Sequence, residues 1–302
     1  MHQYWGFGLL ISSEIEFPEF LPFTFADEPD LTIKMGKAPT ELTGEGLVKK
    51  VQVSMTATEY LQKTAVATYY VANGNHILIE PRPDADEKSI RLFLLSNAMA
   101  AVLHQRNSIP LHASAVMHHD GIVLFCGPSG AGKSTTATML QQRGYKVFSD
   151  DVCVLQIEGD EVTAVPSYPM IKLWADSFHK TGLEMGTESE KIRPQLAKFA
   201  RFYHEEFDIA PKPVKQIFLL DTSNTATEAT IKPLASIAAF SQLQRNTYRP
   251  VQMNAMQKRN QHFAAITRLT NAAPIYKINR PLAGNTLSQV IDLITNVLEP
   301  NE

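Results

Sequence analysis

The chain has 302 residues, 44% hydrophobic and 20% charged, with a net charge of −3 at pH 7. That composition excludes a disordered or fibrous protein, and the length allows one large domain or two ordinary ones. No apolar run reaches the roughly 18 to 20 residues of a membrane span, and the opening MHQYWGFGLLISSEIEF has no basic leader or small-residue cleavage site, so a cytoplasmic protein with no membrane partner is expected.

The first hundred residues read as strands. WGFGLLISS, DLTIKMG, VKKVQVSM, AVATYYVAN and HILIEP are β-branched or aromatic runs, and Asn73-Gly74-Asn75 signals a hairpin between the last two. A small antiparallel β unit is expected. PRPDADEKS then starts a helix, IRLFLLSNAMAAVLHQ, whose near-continuous apolar residues predict burial. The boundary is placed so that residues 1–107 form an N-terminal β-rich unit and residues 108–302 a second domain.

From there strand, loop and helix alternate, which predicts an α/β core. LHASAVMHHDGIVLFC reads as a hairpin turning at His119-Asp120-Gly121, with His118 and His119 exposed on the turn. GKSTTATMLQQRG reads as a helix ended by Gly144, and YKVFSDDVCVLQIEGDEVTAV as further strands. Asp176 to Pro213 is charged and reads as helical or mobile. VKQIFLLD and PIYKIN are buried strands, and the amphipathic LSQVIDLITNVL closes the chain. Cys126 and Cys153, the two cysteines, lie in apolar strand-like runs and should be buried reduced thiols, with no disulfide framework or metal set.

Charge is unevenly distributed. Between Glu228 and Asp292 there are eight cations, Lys232 to Arg280, and no acid. Such a stretch can face phosphates or an acidic partner, or simply water. Aromatic residues are not interleaved with the cations as a base-stacking platform requires, so nucleic acid is not expected.

Gly127-Pro128-Ser129-Gly130-Ala131-Gly132-Lys133-Ser134-Thr135 satisfies the Walker A pattern G-x-x-x-x-G-K-[ST], between an apolar strand and a helical run. Glycines let such a loop turn its N–H groups inward, and the following helix adds its positive dipole end. Lys133 is expected to reach the β and γ phosphates and Ser134 to ligate Mg²⁺. The guanine signature N-K-x-D does not occur in the sequence. A cradle of this kind serves kinases and hydrolases alike.

An acid is needed beside it, and there are two candidates. Asp221 ends the apolar run IFLL; Asp150 and Asp151 stand paired after the helix. Paired carboxylates suit transfer to a hydroxyl, since one can ligand the metal while the other takes the alcohol's proton. Asp221 alone is read as structural.

LHASAV, GPSGAGKST and RGYKVFSDD, in that order, resemble the HPr kinase/phosphorylase family and its HPr-kinase-like relatives, whose core is similar to that of phosphoenolpyruvate carboxykinase. His112 lies 15 residues before Gly127 and Asp150 lies 17 after Lys133, spacings that match the family. The resemblance covers about residues 109 to 155. It implies a P-loop kinase core, Asp150 as general base, Asp151 as a Mg²⁺-side carboxylate, and His112 as the imidazole that hydrogen-bonds to the base. This chain has Ser134-Thr135 where bifunctional members have Ser-Glu, and it lacks their R-G-L-G-I-I-D-V signature, so neither phosphorylase activity nor HPr as substrate is carried over. The N-terminal β unit with its buried helix resembles the HPr-kinase-like proteins of lasso-peptide biosynthesis, some of which phosphorylate a precursor serine.

Two further stretches border the expected site. PSYPMIKLW could line an acceptor cleft, although Tyr168 and Trp174 read as core. A cation to offset phosphoryl charge could come from Lys191, Arg193, Lys198 or Arg201, or from Arg280. The expected function is an ATP- and Mg²⁺-dependent serine kinase acting on a protein or peptide. A small-molecule kinase and a nucleotide-dependent switch remain the alternatives, and a homo-oligomer stays open.

Overall fold

The structure is a computed structural model that describes residues 1–159, 161–187, 190–193 and 196–300. Contacts divide the chain into two units. Met1–Pro110, Ser167–Pro169 and Thr247–Ala264 form the first; Leu111–Pro166, Met170–Asn246 and Ala265–Glu302 form the second.

The first unit is built on nine strands, β1 (His2–Gly6), β2 (Leu9–Ser13), β3 (Leu21–Pro22), β4 (Leu31–Met35), β5 (Val48–Lys49), β6 (Val53–Met55), β7 (Glu59–Lys63), β8 (Ala67–Ala72) and β9 (His76–Pro81). They lie in the order β3-β1-β2-β4-β9-β8-β7-β6-β5. WGFGLLISS is two strands rather than one, because Phe7 and Gly8 take positive φ (58° and 78°) and close a two-residue hairpin. VKKVQVSM is likewise split into β5 and β6. The sheet is mixed, not antiparallel: after β2 the chain crosses to the far edge as β3 and returns as β4, parallel to β2 and to β9. The Asn73-Gly74-Asn75 hairpin forms as expected.

Asp86 caps the helical run by accepting the Ser89 N–H. The run comprises α1 (Glu87–Phe93), a π-helical segment Leu94–Ala98 and α2 (Met99–Gln105), and residues 98–104 are all buried. Tyr168 is buried in this unit, its ring 5.3 Å from that of Phe7.

The chain leaves through β10 (Ile109–Leu111) and continues as β11 (Ala113–His118), β12 (Gly121–Cys126), α3 (Lys133–Gln142), β13 (Val147–Ser149), β14 (Cys153–Glu158), β15 (Glu161–Val165), β16 (Met170–Trp174), α4 (Ala175–Thr181), β17 (Lys198–Phe202), β18 (Lys212–Ser223), β19 (Thr230–Pro233) and α5 (Ser236–Arg245). After α6 (Pro250–Ala255), within the first unit, come α7 (Arg259–Ala272), β20 (Ile275–Pro281) and α8 (Leu287–Leu298). The β11–β12 hairpin turns at His119-Asp120. The segment read as helical or mobile opens with most of α4 but also contains a strand, β17, which pairs with β16 in the register Trp174↔Lys198. Asp160 of the expected strands, and residues 188–189 and 194–195 of that segment, lie outside the described residues.

In the second unit β12, β18 and β20 are adjacent and parallel, aligned at Cys126, Leu219 and Lys277. β11 runs antiparallel on the other side of β12, beginning where β12 ends (Ala113↔Cys126), and β13 lies beyond it. One end of this sheet therefore collects the carboxyl ends of three parallel strands, where open α/β sheets form their crevices. Helices α3 and α8 pack on it through Ala137, Leu140, Val290, Ile291 and Ile294 against Phe125, Phe218 and Ile278. Both cysteines are free and buried. Among the described residues no helix is long and apolar enough to cross a membrane.

Candidate functional site

At the end of β12 the chain makes the loop Gly127–Gly132 and enters α3 at Lys133. Gly127 is required by close approach, since a Cβ there would meet the Leu220 carbonyl oxygen at 2.4 Å. Gly130 and Gly132 have φ of 83° and 103°, the left-handed region that glycine adopts without strain. The Gly127 N–H donates to Asn246 Oδ1 at 2.7 Å, and the Asn246 carbonyl accepts the His112 N–H at 2.7 Å. One residue beyond α5 thus ties the loop to the strand beside it.

Lys133 is 6% exposed, and its Nζ donates to the carbonyls of Gly127 (2.8 Å) and Pro128 (3.2 Å). Burial lowers its pKa, against the opposing pull of Cys126, Asp150 and Asp151. A cavity of about 250 Å³ opens over the loop, lined by Ser129 to Thr136 and by residues from both sides of β12.

On the β11 side the two aspartates separate. Asp150 is 1% exposed and does not line the cavity; its oxygens accept from Ser114 Oγ (2.6 Å) and the Lys172 N–H (3.0 Å). Asp151, at φ 67°, does line it, and accepts from Lys172 Nζ at 2.9 Å. His112 Nδ1 donates to the Asp151 carbonyl at 2.9 Å and lies 3.4 Å from Asp151 Oδ1. A carbonyl only accepts, so Nδ1 carries the proton. The imidazole expected on Asp150 therefore sits on Asp151. Burial raises the Asp151 pKa, but Lys172, His112 and Lys198 together outweigh it and hold the carboxyl below the usual range. Burial, reinforced by Lys133, lowers the His112 pKa.

On the β18 side Asp221 also lines the cavity, paired to Lys277 Nζ at 2.9 Å. The Arg280 guanidinium donates to the Ala131 carbonyl at 3.2 Å. Of the cations singled out in sequence, Lys198 and Arg280 line the cavity, whereas Lys191, Arg193 and Arg201 do not. Trp174, read as core, is 44% exposed and lines the cavity beneath Lys198, whose Nζ is 5.6 Å from the ring centroid. Sequence reasoning missed Lys172 and Asn246. Lys172 had a signal, as a lone cation inside the apolar MIKLW; Asn246, contributed from far along the chain, had none.

Ser134, Asp151 and Asp221 all line the cavity, whereas no group of three or more His, Cys, Asp or Glu able to hold a metal occurs among the described residues. One hydroxyl and one or two carboxylates fit Mg²⁺, which takes its remaining ligands from phosphate and water, better than a cation needing a protein cage.

No family model matches the chain, and no curated protein does. Among solved structures it is similar to the Hpr(Ser) kinase/phosphatase from Coxiella burnetii, at 13% identity and a TM-score of 0.34, covering 62% of this chain and 89% of that one. So loose a likeness transfers neither a residue nor an activity.

Proposed function

We propose that the chain is an ATP- and Mg²⁺-dependent kinase that transfers the γ-phosphoryl group to a serine hydroxyl of a protein or peptide. The observation that carries this reading is one cavity flanked by a glycine loop with a buried lysine on one side and by Asp151, His112 and Lys172 on the other. The loop's N–H groups and Lys133 hold the donor's phosphates. Asp151 takes the acceptor's proton as the new O–P bond forms and the bond to the leaving ADP breaks. A carboxylate of depressed pKa suffices where the proton leaves late, as in loose phosphoryl transfer. Lys172 and His112 hold that carboxylate ionised and oriented, and Asp150, which does not line the cavity, positions Lys172 and Ser114. Ser134 and Asp221 would hold Mg²⁺, which neutralises phosphate charge; Asp151 is the alternative ligand. Lys198 and Arg280 offset charge on the transferred group.

Lys198 makes no ion pair among the described residues. It suits an acceptor with an anionic group beside its hydroxyl, such as a lasso-type precursor with its serine at a free C-terminus. The test offers Mg-ATP labelled at the γ position with a free-acid peptide ending in serine, its amide, and HPr. Labelling of the free acid above the amide, weakened by salt, is expected. Labelling of HPr alone, or of a metabolite in a wider screen, rejects the peptide acceptor; failure to label any acceptor while ATP still binds favours a switch.

A further inference from the structure

Of the eight cations that stand without an acid between Glu228 and Asp292, the cavity accounts for two, Lys277 on Asp221 and Arg280 on the glycine loop. Arg249, Lys258 and Arg259 fall instead in Thr247–Ala264, the late stretch of chain that belongs to the first unit. There α6 and the start of α7 bury Gln252, Met253 and His262 and leave Val251, Asn254, Arg259 and Phe263 exposed. Val251 and Asn254 are three residues apart on α6, and Arg259 and Phe263 four apart on α7, so each pair shares a helix face. Arg259 Nε donates to Asn254 Oδ1 at 2.6 Å, which joins the two faces into one strip. Val251 is 46% and Phe263 56% exposed.

Two guanidiniums here are held but not neutralised. Asn254 orients Arg259, and Arg249, which leads into α6, lies over the Tyr248 ring at 5.3 Å. Among the described residues neither makes an ion pair. A cation that only faces water gains nothing from being held, whereas a guanidinium fixed in advance keeps its fork ready for a carboxylate and loses less entropy on binding. Arginines beside exposed apolar side chains are also the composition of interface hot spots. We infer that the α6–α7 strip is a docking surface for a partner protein, which presents an acidic segment with apolar side chains among its carboxylates. Charge selects that occupant, because the whole stretch around the strip carries cations and no acid, and so attracts an acidic segment and repels a basic one. Nucleic acid needs a run of exposed rings for stacking, which Phe263 by itself does not make. An anionic bilayer takes up a broad apolar face, and here a polar Asn254–Arg259 pair separates the two apolar side chains. The surface stands whether or not the chain is a kinase.

The test is fluorescence anisotropy at low salt with a labelled peptide of glutamate and leucine in helical repeat. Unlabelled peptide, polyglutamate, vesicles of phosphatidylserine and phosphatidylcholine, and oligodeoxythymidine serve as competitors. The labelled peptide should bind, salt should weaken it, and polyglutamate should compete at least about tenfold less well than the unlabelled peptide, since it lacks apolar contact. Arg259→Glu and Phe263→Ala should each weaken the peptide at least about tenfold at an unchanged urea midpoint. Arg259→Lys, which keeps the charge and loses the fork, should weaken it less. Lys34→Glu, exposed on β4 of the same unit, should change nothing. No binding of the peptide, equal weakening by Lys34→Glu, or full affinity in Arg259→Glu and Phe263→Ala overturns the inference. So does an Arg259-dependent preference for the vesicles or for oligodeoxythymidine, which would make the strip a membrane or nucleic-acid surface instead.

Discussion

The two units bury polar groups in different ways. In the first, Arg91 Nε bonds both oxygens of Glu19 at 3.1 Å, Tyr69 donates to the Ile90 carbonyl, and His104 Nε2 donates to the Tyr248 carbonyl. Each is matched from within the fold. In the second, Lys133, Lys172, Asp150 and Ser114 are buried within a few residues of one cavity, and among the described residues Lys133 donates only to carbonyls. Buried charge is costly, and a fold that gathers it around an opening has another use for it. The contrast locates function more firmly than the loop motif does.

The sharpest way to break this contrast is to remove the cavity's own charges. Asp151→Asn should reduce transfer by about a thousandfold or more while retaining ATP, since its proposed role belongs to the chemical step. Lys133→Ala should cost at least about a hundredfold and weaken ATP binding as well. Asp150→Asn puts an amide donor against Ser114 or the Lys172 N–H, so its main effect should be on stability, roughly 1–3 kcal/mol, with a smaller kinetic loss. Kinetics and urea denaturation on the three variants decide this. If Asp150→Asn is the dead enzyme and Asp151→Asn the active one, the cavity-facing assignment is wrong.

The loop itself was legible because its constraints are local: glycines at fixed offsets between a strand and a helix. The Asp150-Asp151 doublet was legible as a candidate, but its division of labour was not. Adjacent residues exchange faces according to a single φ, and the 67° at Asp151 is not encoded in the residue type. The mixed sheet of the first unit escaped for a related reason. Strand patterns give faces, not neighbours, and β4 lies beside β2 only because β3 crosses first. Lys198 was found as a charge but assigned to a helix, since its strand is recognisable mainly by its pairing with β16. Asn246 acts through two backbone contacts at long range, which no local pattern carries.

Acid should separate the units' buried groups next. His104 and His262 are each 1% exposed, and burial lowers both to about 4. The nearby Lys258 and the mutual repulsion of the two rings add to the shift at His104, against the bond to Tyr248. With an unfolded pKa near 6.5, the unfolded chain binds protons that the fold excludes as pH falls from about 6.5 to 4. The stability is thus complete above that window and lost through it, on the order of a few kcal/mol for the pair. The urea midpoint should fall steadily from pH 7 to pH 4.5. A flat profile means the two rings reach water and the first unit is less closed than described.

The loop glycines act on stability alone, and they sharpen what the cavity requires of its frame. At Gly127 a methyl would sit 2.4 Å from the Leu220 carbonyl oxygen and 3.3 Å from the Ala131 Cβ. Neither is the end of a flexible side chain, so Gly127→Ala must move β12 against β18 and disturb the Asn246 bond, at a cost of roughly 2–3 kcal/mol. At Gly130 a methyl meets none of the described residues within 4 Å, and φ 83° is what opposes it, so Gly130→Ala should cost about 1–2 kcal/mol of backbone strain. Thermal unfolding should rank wild type, Gly130→Ala and Gly127→Ala in that order. Equal losses would mean the loop yields as a whole, and that the close approach to Leu220, which holds the glycine loop beside β18, is not a firm contact.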